Sequence, residues 1–397
     1  MFRVLRFLTA GESHGQALVG ILEGMPAGLP LVPEDIDLHL RRRQGGHGRG
    51  GRMKIEKDQA QLLSGVRHGL TLGSPIGLQI SNRDWANWTG RMGVEPSDQP
   101  VEGVTRLRPG HADLPGALKY GHRDVRNVLE RASARETAMR VALGAVARKL
   151  LSHFDIEVRS ETLAVGDVRA EVPDWVLTER RGARGERAEG YWEAVEASPV
   201  RCGDVAAGEA MVRAIDEARR AGDTLGGVFQ VAVYGLPAGL GSHVQWDRKL
   251  NARLAEALMS VNSIKGVEVG AGFRGAALRG SSYHDVIEYD PERGWVRRQN
   301  SAGGVEGGMS NGEPLVVRCA AKPIPTLMKP LPSVDLATRQ PVAAAIERSD
   351  VCVVPAAGVV GEAMVALVLA DAFLEKFGGD SVAEIERNYR GYLATLS

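Results

Sequence analysis

The chain has 397 residues, of which 44% are hydrophobic and 25% are charged, and its 49 basic residues are balanced by 49 acidic ones. This composition is typical of a folded soluble protein, and the zero formal net charge weighs against a protein that mainly binds nucleic acid. The 3 cysteines form no CxxC pair, which argues against a disulfide framework or a zinc ribbon and fits a reducing cytoplasm.

From Met1 to Ala10, apolar and basic residues alternate and lead directly into a glycine-rich motif, so we expect no signal peptide. Short stretches rich in β-branched residues predict strands along the whole chain. The predicted strands are Phe2–Leu8, Ala17–Glu23, Gly77–Ile80, Ile156–Val165, Val228–Tyr234, Val267–Val269 and Leu315–Ala320.

Longer segments with helical periodicity are interspersed among these strands. They predict helices at Leu129–Phe154, at Trp246–Val261, at Val359–Phe377 and, after the capping box of Ser381 and Glu384, to about Leu396. A short helix is also expected at Val342–Glu347. The apolar run Val351–Phe373 contains Pro355, Glu362 and Asp371, which favours a buried helix over a membrane span.

Strands and long helices do not alternate regularly, which favours an α+β fold over a doubly wound parallel sheet. No linker divides the chain, and we therefore expect a single domain over residues 1–397. The most polar stretch, Arg169–Pro199, is predicted to be a surface excursion.

The stretch from His39 to Lys57 interleaves basic residues with glycines, and we predict a mobile loop that closes over a polyanionic ligand. A solvated basic loop without a ligand is the alternative. An RNA-binding RGG-like patch is less favoured because the stretch has no aromatic residue to stack on bases. Its basic residues are Arg41, Arg42, Arg43, Arg49, Arg52, Lys54 and Lys57.

Three motifs match familiar patterns in the wrong context. Gly11–Gly15 fits the GxSxG elbow of hydrolases, but a predicted strand rather than a helix follows, so Ser13 is not expected to be a nucleophile. Gly270–Gly275 and Gly46–Gly51 fit the GxGxxG pattern of dinucleotide-binding units. The first follows a predicted strand but leaves no room for the crossover helix, and the second has no strand in front of it.

Two histidines have unusual neighbours. His14 follows a predicted strand between Ser13 and Gly15, and His111 lies in a turn with Arg108 and Asp113. A histidine is the natural general acid near neutral pH, although each of these, taken alone, is more often structural.

Ser133 can cap the start of the long helix after Arg131, where free N–H groups would bind an anion; an ordinary capped helix with solvated arginines is the alternative. Irregular segments at Asn300–Gly312, Lys322–Thr326 and Arg348–Asp350 are of the kind that holds a flat ligand with a phosphate tail.

At these residues the chain resembles the chorismate synthase family, in order and over essentially its entire length. The matching segments are Gly11–Gly15, Arg42–Gly45, Thr71–Gly77, Arg108–Asp113, Arg131–Arg140, Ile264–Glu268, Gly303–Gly308, Lys322–Thr326 and Arg348–Asp350. The resemblance implies a layered β-α-β sandwich, usually tetrameric, that binds reduced FMN.

The implied reaction converts 5-enolpyruvylshikimate 3-phosphate to chorismate and phosphate, the last common step toward the aromatic amino acids. Phosphate leaves C3 and a proton leaves C6, without net redox change. In the family mechanism, reduced flavin donates electron density transiently so that the phosphate can depart.

The resemblance also implies residue roles. His14 would protonate the leaving phosphate, His111 would keep the reduced flavin suitably charged, and Asp350 would keep flavin N5 unprotonated to take the C6 proton. The substrate's phosphate and two carboxylates would be held by Arg43, Arg49, Arg108 and Arg135. FMN would contact Arg131, Ala132, Ser133, Asn262, Ser263, Gly307, Lys322, Pro323, Ile324, Pro325, Thr326 and Arg348. Many relatives have serine at the position of Ala132, where a backbone contact would survive the change.

The chain is similar to the short bacterial members of the family, which lack the long insertions of bifunctional fungal members that reduce FMN with a nicotinamide nucleotide. We therefore expect an external flavin reductase, a homotetramer, a cytoplasmic location, and no metal, nucleic-acid or membrane partner. Two other hypotheses stay open. An FMN-dependent oxidoreductase would oxidise flavin during turnover, and an RNA-binding protein would bind oligonucleotides with steep salt dependence.

Overall fold

The computed structural model describes residues 2–50, 56–97, 101–179, 185–291, 294–347 and 350–396, with the backbone alone at 185–187. Strands are numbered in chain order. They are β1 Arg6–Ala10, β2 Ala17–Glu23, β3 Gln61–Leu62, β4 Val66–Arg67, β5 Leu70–Thr71, β6 Ile76–Ser81, β7 Glu157–Val165, β8 Val168–Arg169, β9 Gly227–Tyr234, β10 Ile264–Val269, β11 Ile287–Asp290, β12 Gly294–Arg297, β13 Val305–Glu306, β14 Met309–Ser310, β15 Leu315–Ala321, β16 Pro332–Val334 and β17 Pro341–Ala343.

Helices are numbered in the same way, and short 3-10 turns occur at Arg83–Asn87, Ala134–Glu136 and Trp246–Arg248. The helices are α1 Pro33–Gln44, α2 Thr89–Met92, α3 Asp113–Tyr120, α4 Arg126–Leu129, α5 Thr137–His153, α6 Asp174–Thr178, α7 Gly185–Ala197, α8 Val205–Arg220, α9 Leu250–Met259, α10 Gly272–Gly275, α11 Gly280–Tyr283, α12 Val354–Phe377 and α13 Val382–Leu393.

The first sheet is antiparallel, with the strand order β1-β2-β6-β3. In β2, Leu18 and Leu22 are buried while Val19 and Ile21 point outward, which is the alternation expected of a strand with one covered face. Met139 of α5 lies against the covered face. The sheet therefore forms one outer layer of the molecule.

The second sheet has the order β10-β15-β9-β7-β8, with antiparallel neighbours. Helix α12 packs on it so closely that a Cβ at Gly361 would lie 2.6 Å from the ring of Phe229. On its other side α12 meets α5, where a Cβ at Gly144 would lie 2.4 Å from that of Ala363. The helices thus form a middle layer between two sheets, which confirms the predicted α+β, β-α-β sandwich.

Helix α12 is long and apolar enough to cross a membrane, but its most apolar stretch is 100% buried within the protein. Two of its three acidic residues, Glu362 and Asp371, are fully buried and bound by arginines. It is the core helix of a soluble protein, as predicted. The helix begins at Val354 rather than Val359, because Pro355 is tolerated in a first turn.

Three predicted elements differ from the structure. The helix predicted from Leu129 is interrupted, because Ser133 is extended and caps a 3-10 turn before α5 begins at Thr137. The helix predicted at Val342–Glu347 is wrong: this part of the chain pairs with β16 as strand β17. The predicted surface excursion holds α6 and α7, whose Trp192 packs near Tyr234 on the second sheet.

The prediction that the arginines before Gly45 lie on a loop is also wrong. Arg41, Arg42 and Arg43 form the last turn of α1, where positive charge is favourable at the helix C-terminus. The chain from Gly45 to Gly50 is tied down: the Val351 amide donates to the Gly48 carbonyl at 2.7 Å. Arg52 and Lys54 lie outside the described residues.

Candidate active site

A cleft of about 670 Å³ opens where the two sheets and the middle layer meet. It lies between the turn that joins β1 to β2, the α4–α5 junction, the end of α9 and the start of α12. Its size is within the ~300–1,000 Å³ that small-molecule sites usually span.

Most of the predicted site residues line this cleft. They are His14, His111, Asp350, Arg43, Arg49, Arg108, Arg135, Ala132, Ser133, Asn262, Ser263, Lys322, Ile324, Pro325 and Thr326. Residues separated by up to several hundred positions in the sequence are thus brought to one place.

Three further predicted contacts are not among the described residues that line the cleft. The Arg131 guanidinium points away from the cleft and donates to the Thr9 carbonyl at 2.9 Å and to its hydroxyl at 2.8 Å. Gly307 forms the turn between β13 and β14, and neither it nor Pro323 is among the described residues that line the cleft. Arg348 lies outside the described residues.

Two buried arginines form the cationic wall. Arg43 donates to the Thr137 hydroxyl at 3.0 Å and to the Ala134 carbonyl at 2.8 Å. Arg135 binds Asp58 at 2.6 Å and the Asn82 side-chain oxygen at 3.0 Å. Within the described residues no group accepts a hydrogen bond from Arg43 Nη1. Burial, followed by the nearby cation Arg49, lowers the pKa of Arg43 to about 9, so a bound anion would relieve this site.

Asp350 connects the glycine-rich segment to the start of α12. Its carboxylate accepts from Arg49 Nη1 at 2.6 Å and from the Gly50 amide at 2.6 Å. Arg49, which belongs to the segment predicted to cover a ligand, therefore lies at the cleft. That arginine is paired with one of the predicted catalytic carboxylates.

His14 is held by a buried glutamate. Nδ1 lies 3.0 and 2.9 Å from the two carboxylate oxygens of Glu130, and the His14 amide donates to the same carboxylate at 2.8 Å. Because a carboxylate only accepts, Nδ1 carries the proton. The ring stacks on Trp88 with a centroid distance of 3.9 Å. Opposing the effect of burial, the hydrogen bonds and charge of His14 lower the pKa of Glu130.

His111 has a similar partner. Its Nδ1 lies 2.5 Å from Asp113, which Arg108 binds through Nε at 2.9 Å and Nη2 at 3.0 Å. These bonds outweigh burial and lower the pKa of Asp113 to about 2. The third nitrogen of Arg108, Nη1, donates to the half-exposed Glu347 at 2.9 Å.

The turn that carries His14 is fixed from both sides. The Ser13 amide donates to the Glu130 carbonyl at 3.0 Å, and the Asn82 amide group donates to the Gly15 carbonyl at 2.7 Å. Strand β2 follows this turn, as predicted, and no hydrolase elbow is formed. The Ser13 hydroxyl accepts a hydrogen bond from Ser133.

Comparison with known proteins identifies the family. The family profile described as chorismate synthase matches residues 5–374. The chain is 59% identical to the chorismate synthase of Moorella thermoacetica, over 99% of this chain and 100% of that protein. It is 58% identical to that of Desulforamulus reducens, over 96% and 97%. A solved crystal structure of chorismate synthase superposes with a TM-score of 0.80 at 44% identity, covering 100% of this chain and 99% of the other.

The chain belongs to the chorismate synthase family. Membership gives it the activity of that family, the formation of chorismate at the end of the shikimate pathway, with 5-enolpyruvylshikimate 3-phosphate as substrate and reduced FMN as cofactor. The predicted family, fold, activity and cofactor are confirmed.

The cleft suits the cofactor that chorismate synthases use. Val353, Ala356 and Val360 of the α12 region give it an apolar wall for a planar ring system. Lys322 supplies a cation to the same cleft, and burial lowers its pKa, ahead of the effect of Lys265. With the unfilled donor of Arg43, this combination fits a flavin with its phosphate beside an anionic substrate.

Sequence reasoning missed Glu130, Asp58, Asn82 and Trp88. Glu130 is four positions after Arg126, a spacing that hints at a helical ion pair but not at a histidine 116 residues away. Trp88 follows a 3-10 turn with no motif around it. Only the three-dimensional arrangement shows that these residues contact the predicted site.

Proposed function

We propose that this cleft binds 5-enolpyruvylshikimate 3-phosphate beside reduced FMN and carries out the 1,4-elimination within one domain formed by residues 1–397. The observation that supports the proposal best is the meeting of two carboxylate-bound histidines with the buried, incompletely hydrogen-bonded cation of Arg43. A substrate with three anionic groups, one phosphate and two carboxylates, whose phosphate leaves more easily when it is protonated, suits this combination.

In the elimination the C3–O bond breaks, and its electron pair leaves with the phosphate. The C6–H bond breaks as well, and its electron pair becomes part of the new diene. His14, which lines the cleft, donates a proton to the departing phosphate oxygen. Asp350, which lines the same cleft, would keep flavin N5 unprotonated so that it could take the ring proton, and His111 would keep the reduced flavin suitably charged.

The arginines hold the substrate anions. Arg43 and Arg135 offer buried donors, and charge-assisted hydrogen bonds to phosphate or carboxylate are stronger than neutral ones. Arg108 binds Asp113 through Nε and Nη2, and it would contribute through Nη1 when the substrate takes the place of the half-exposed Glu347. Arg49 contributes when the substrate takes the place of Asp350.

The flavin would be held by the backbone at Ala132 and Ser133, by Asn262 and Ser263, and by the segment Lys322–Thr326. Asn262 is fixed for this purpose by donating to the Ala132 carbonyl at 3.0 Å. When bound there, reduced FMN would supply electron density to the substrate ring without net redox change. Arg131, Gly307 and Arg348 stay predictions as cofactor contacts.

The finer properties of the protein follow the resemblance to bacterial family members. We propose an external reductase as the source of reduced FMN, a homotetramer, and a cytoplasmic location. The buried core helix α12 supports a soluble protein.

The test is an anaerobic assay with substrate and chemically reduced FMN. We expect chorismate and phosphate in equal amounts, with the flavin still reduced after many turnovers. Equal turnover with oxidised FMN and no reductant would overturn the proposal. Flavin oxidation matched to product would indicate an oxidoreductase instead.

A further inference from the structure

The surroundings of His14 contain a balanced set of charges. Glu130 is 2% exposed, and besides its contacts with His14 it accepts from Arg126 Nη1 at 3.2 Å. Arg126 begins α4, and the glutamate follows this helix one turn later. A buried carboxylate thus lies between a permanent cation and an imidazole that gains and loses a proton.

We propose that Glu130 and Arg126 act together as positioning residues that set the protonation equilibrium of His14. This inference rests on the proposed role of His14 as proton donor. Glu130 fixes the ring through Nδ1, so that proton transfer to the substrate would use Nε2. Trp88 limits the tilt of the ring by stacking on it.

The carboxylate and the guanidinium have opposite effects on the imidazole. An anion in contact with the ring stabilises the imidazolium form, whereas a nearby cation disfavours it. When His14 gives up its proton, Glu130 would be a buried charge without compensation if Arg126 were absent, and that state is costly. Arg126 therefore favours release of the proton, whereas Glu130 favours its retention.

Other charged groups share these surroundings, and Arg108 is close enough for its charge to interact with Glu130. Glu12 belongs to the same turn and its carboxylate approaches Gly15. Arg91 lies over the Trp88 ring at 5.8 Å, and Arg126 lies over it at 5.2 Å. Arg135 reaches the turn through Asn82. Of the acidic side chains described, Glu130 is the one that contacts the His14 ring.

The test measures the pKa of His14 in the ligand-free protein, by deuterium exchange at the imidazole C2–H followed peptide by peptide with mass spectrometry. Glu130→Gln should shift the measured value downward, because an anion in contact with the ring is removed. Arg126→Gln should raise it, and Arg126→Lys should leave it nearly unchanged. Opposite shifts are the signature, since a merely structural disturbance would not reverse its sign.

Matched controls are available in the same stretch of chain. Glu136→Gln removes a buried carboxylate that binds Arg140 rather than His14, and it should not move the pKa of His14. His111 provides an internal reference in every variant. Shifts of the same sign, or no shift, in Glu130→Gln and Arg126→Gln would overturn the inference. If Glu130→Gln does not fold, the Arg126→Gln and Arg126→Lys pair decides alone.

The pH dependence of kcat separates this inference from the proposed function. If His14 is the acid, the alkaline limb of the profile should move down in pH with Glu130→Gln and up with Arg126→Gln. Opposite pKa shifts without movement of the limb would support the positioning residues and contradict His14 as the proton donor.

Discussion

Arg42 and Arg43 are neighbours in the last turn of α1, yet they belong to two different arginine clusters. Arg42 binds Glu362 at 2.6 Å and Glu196 at 2.5 Å, on the side of the helix away from the cleft. Arg43 faces the cleft, where its hydrogen bonds go to a hydroxyl and a carbonyl. We call these the scaffold cluster and the cleft cluster.

The pKa directions differ accordingly. In the scaffold cluster Glu362 and Glu196 outweigh burial and raise the pKa of Arg42. In the cleft cluster burial dominates and lowers the pKa of Arg43 to about 9. Among the described residues, Arg42 is thus held by two carboxylates, whereas Arg43 keeps one donor without a hydrogen-bond acceptor and has Asp58 only at 3.7 Å, at the place where an anionic ligand would bind.

The largest expected effect concerns the scaffold cluster. Glu362 is fully buried and bound by Arg42, Arg148 and Arg201. Glu362→Gln should lower the free energy of unfolding by about 3–5 kcal/mol, because it leaves buried guanidinium groups without their anion. Urea unfolding measures this. The control is Glu157→Gln at a partly exposed ion pair, where the free energy of unfolding should fall by less than about 1 kcal/mol. Equal losses in the two variants would contradict the stabilising role of the scaffold cluster.

Substitutions of the two adjacent arginines should affect different properties, substrate binding for Arg43 and stability for Arg42. Arg43→Met should weaken substrate binding by about ten- to a hundredfold, equivalent to roughly 1.5–3 kcal/mol for a lost charged hydrogen bond, with little change in stability. Arg42→Met should show the reverse. Substrate titration and thermal melting on the same preparations measure both. The comparison fails if the two variants behave alike.

A smaller effect is expected for Asp113, a cleft carboxylate that is satisfied by Arg108. Its pKa is lowered from 3.8 to about 2, so it stabilises the protein above the unfolded-state pKa and this contribution is lost as pH falls toward 2. Asp113→Asn should cost about 1–2 kcal/mol at pH 7 and progressively less below pH 4. Urea unfolding across pH would show a constant difference if the pKa were not lowered.

The sequence predicted strands and helix ends correctly where neighbouring side chains determine them. Strand β2 was predicted with its observed bounds, and the Ser381–Glu384 capping box is present at α13. Prediction failed where distant contacts decide. The strand at Pro341–Ala343 exists because it pairs with β16, and Ser133 interrupts a helix that apolar periodicity alone would continue.

For the cleft, the sequence motifs predicted most of the lining residues, whereas only the fold shows which other residues contact them. The sequence shows Arg42 and Arg43 as equivalent members of one basic run, because helical position and the distant Glu362 are what separate them. Likewise His14 and His111 could be predicted as candidates, but the carboxylate of Glu130 could not.

The most direct test of the cleft as the site of elimination is an anaerobic single turnover with His14→Ala, in which phosphate release is followed with reduced FMN bound. We expect a rate lower by about two orders of magnitude or more, the usual scale for a lost general acid, with FMN affinity and melting temperature close to those of the unmodified protein. Phosphate release at a near-normal rate in this variant would contradict the assignment.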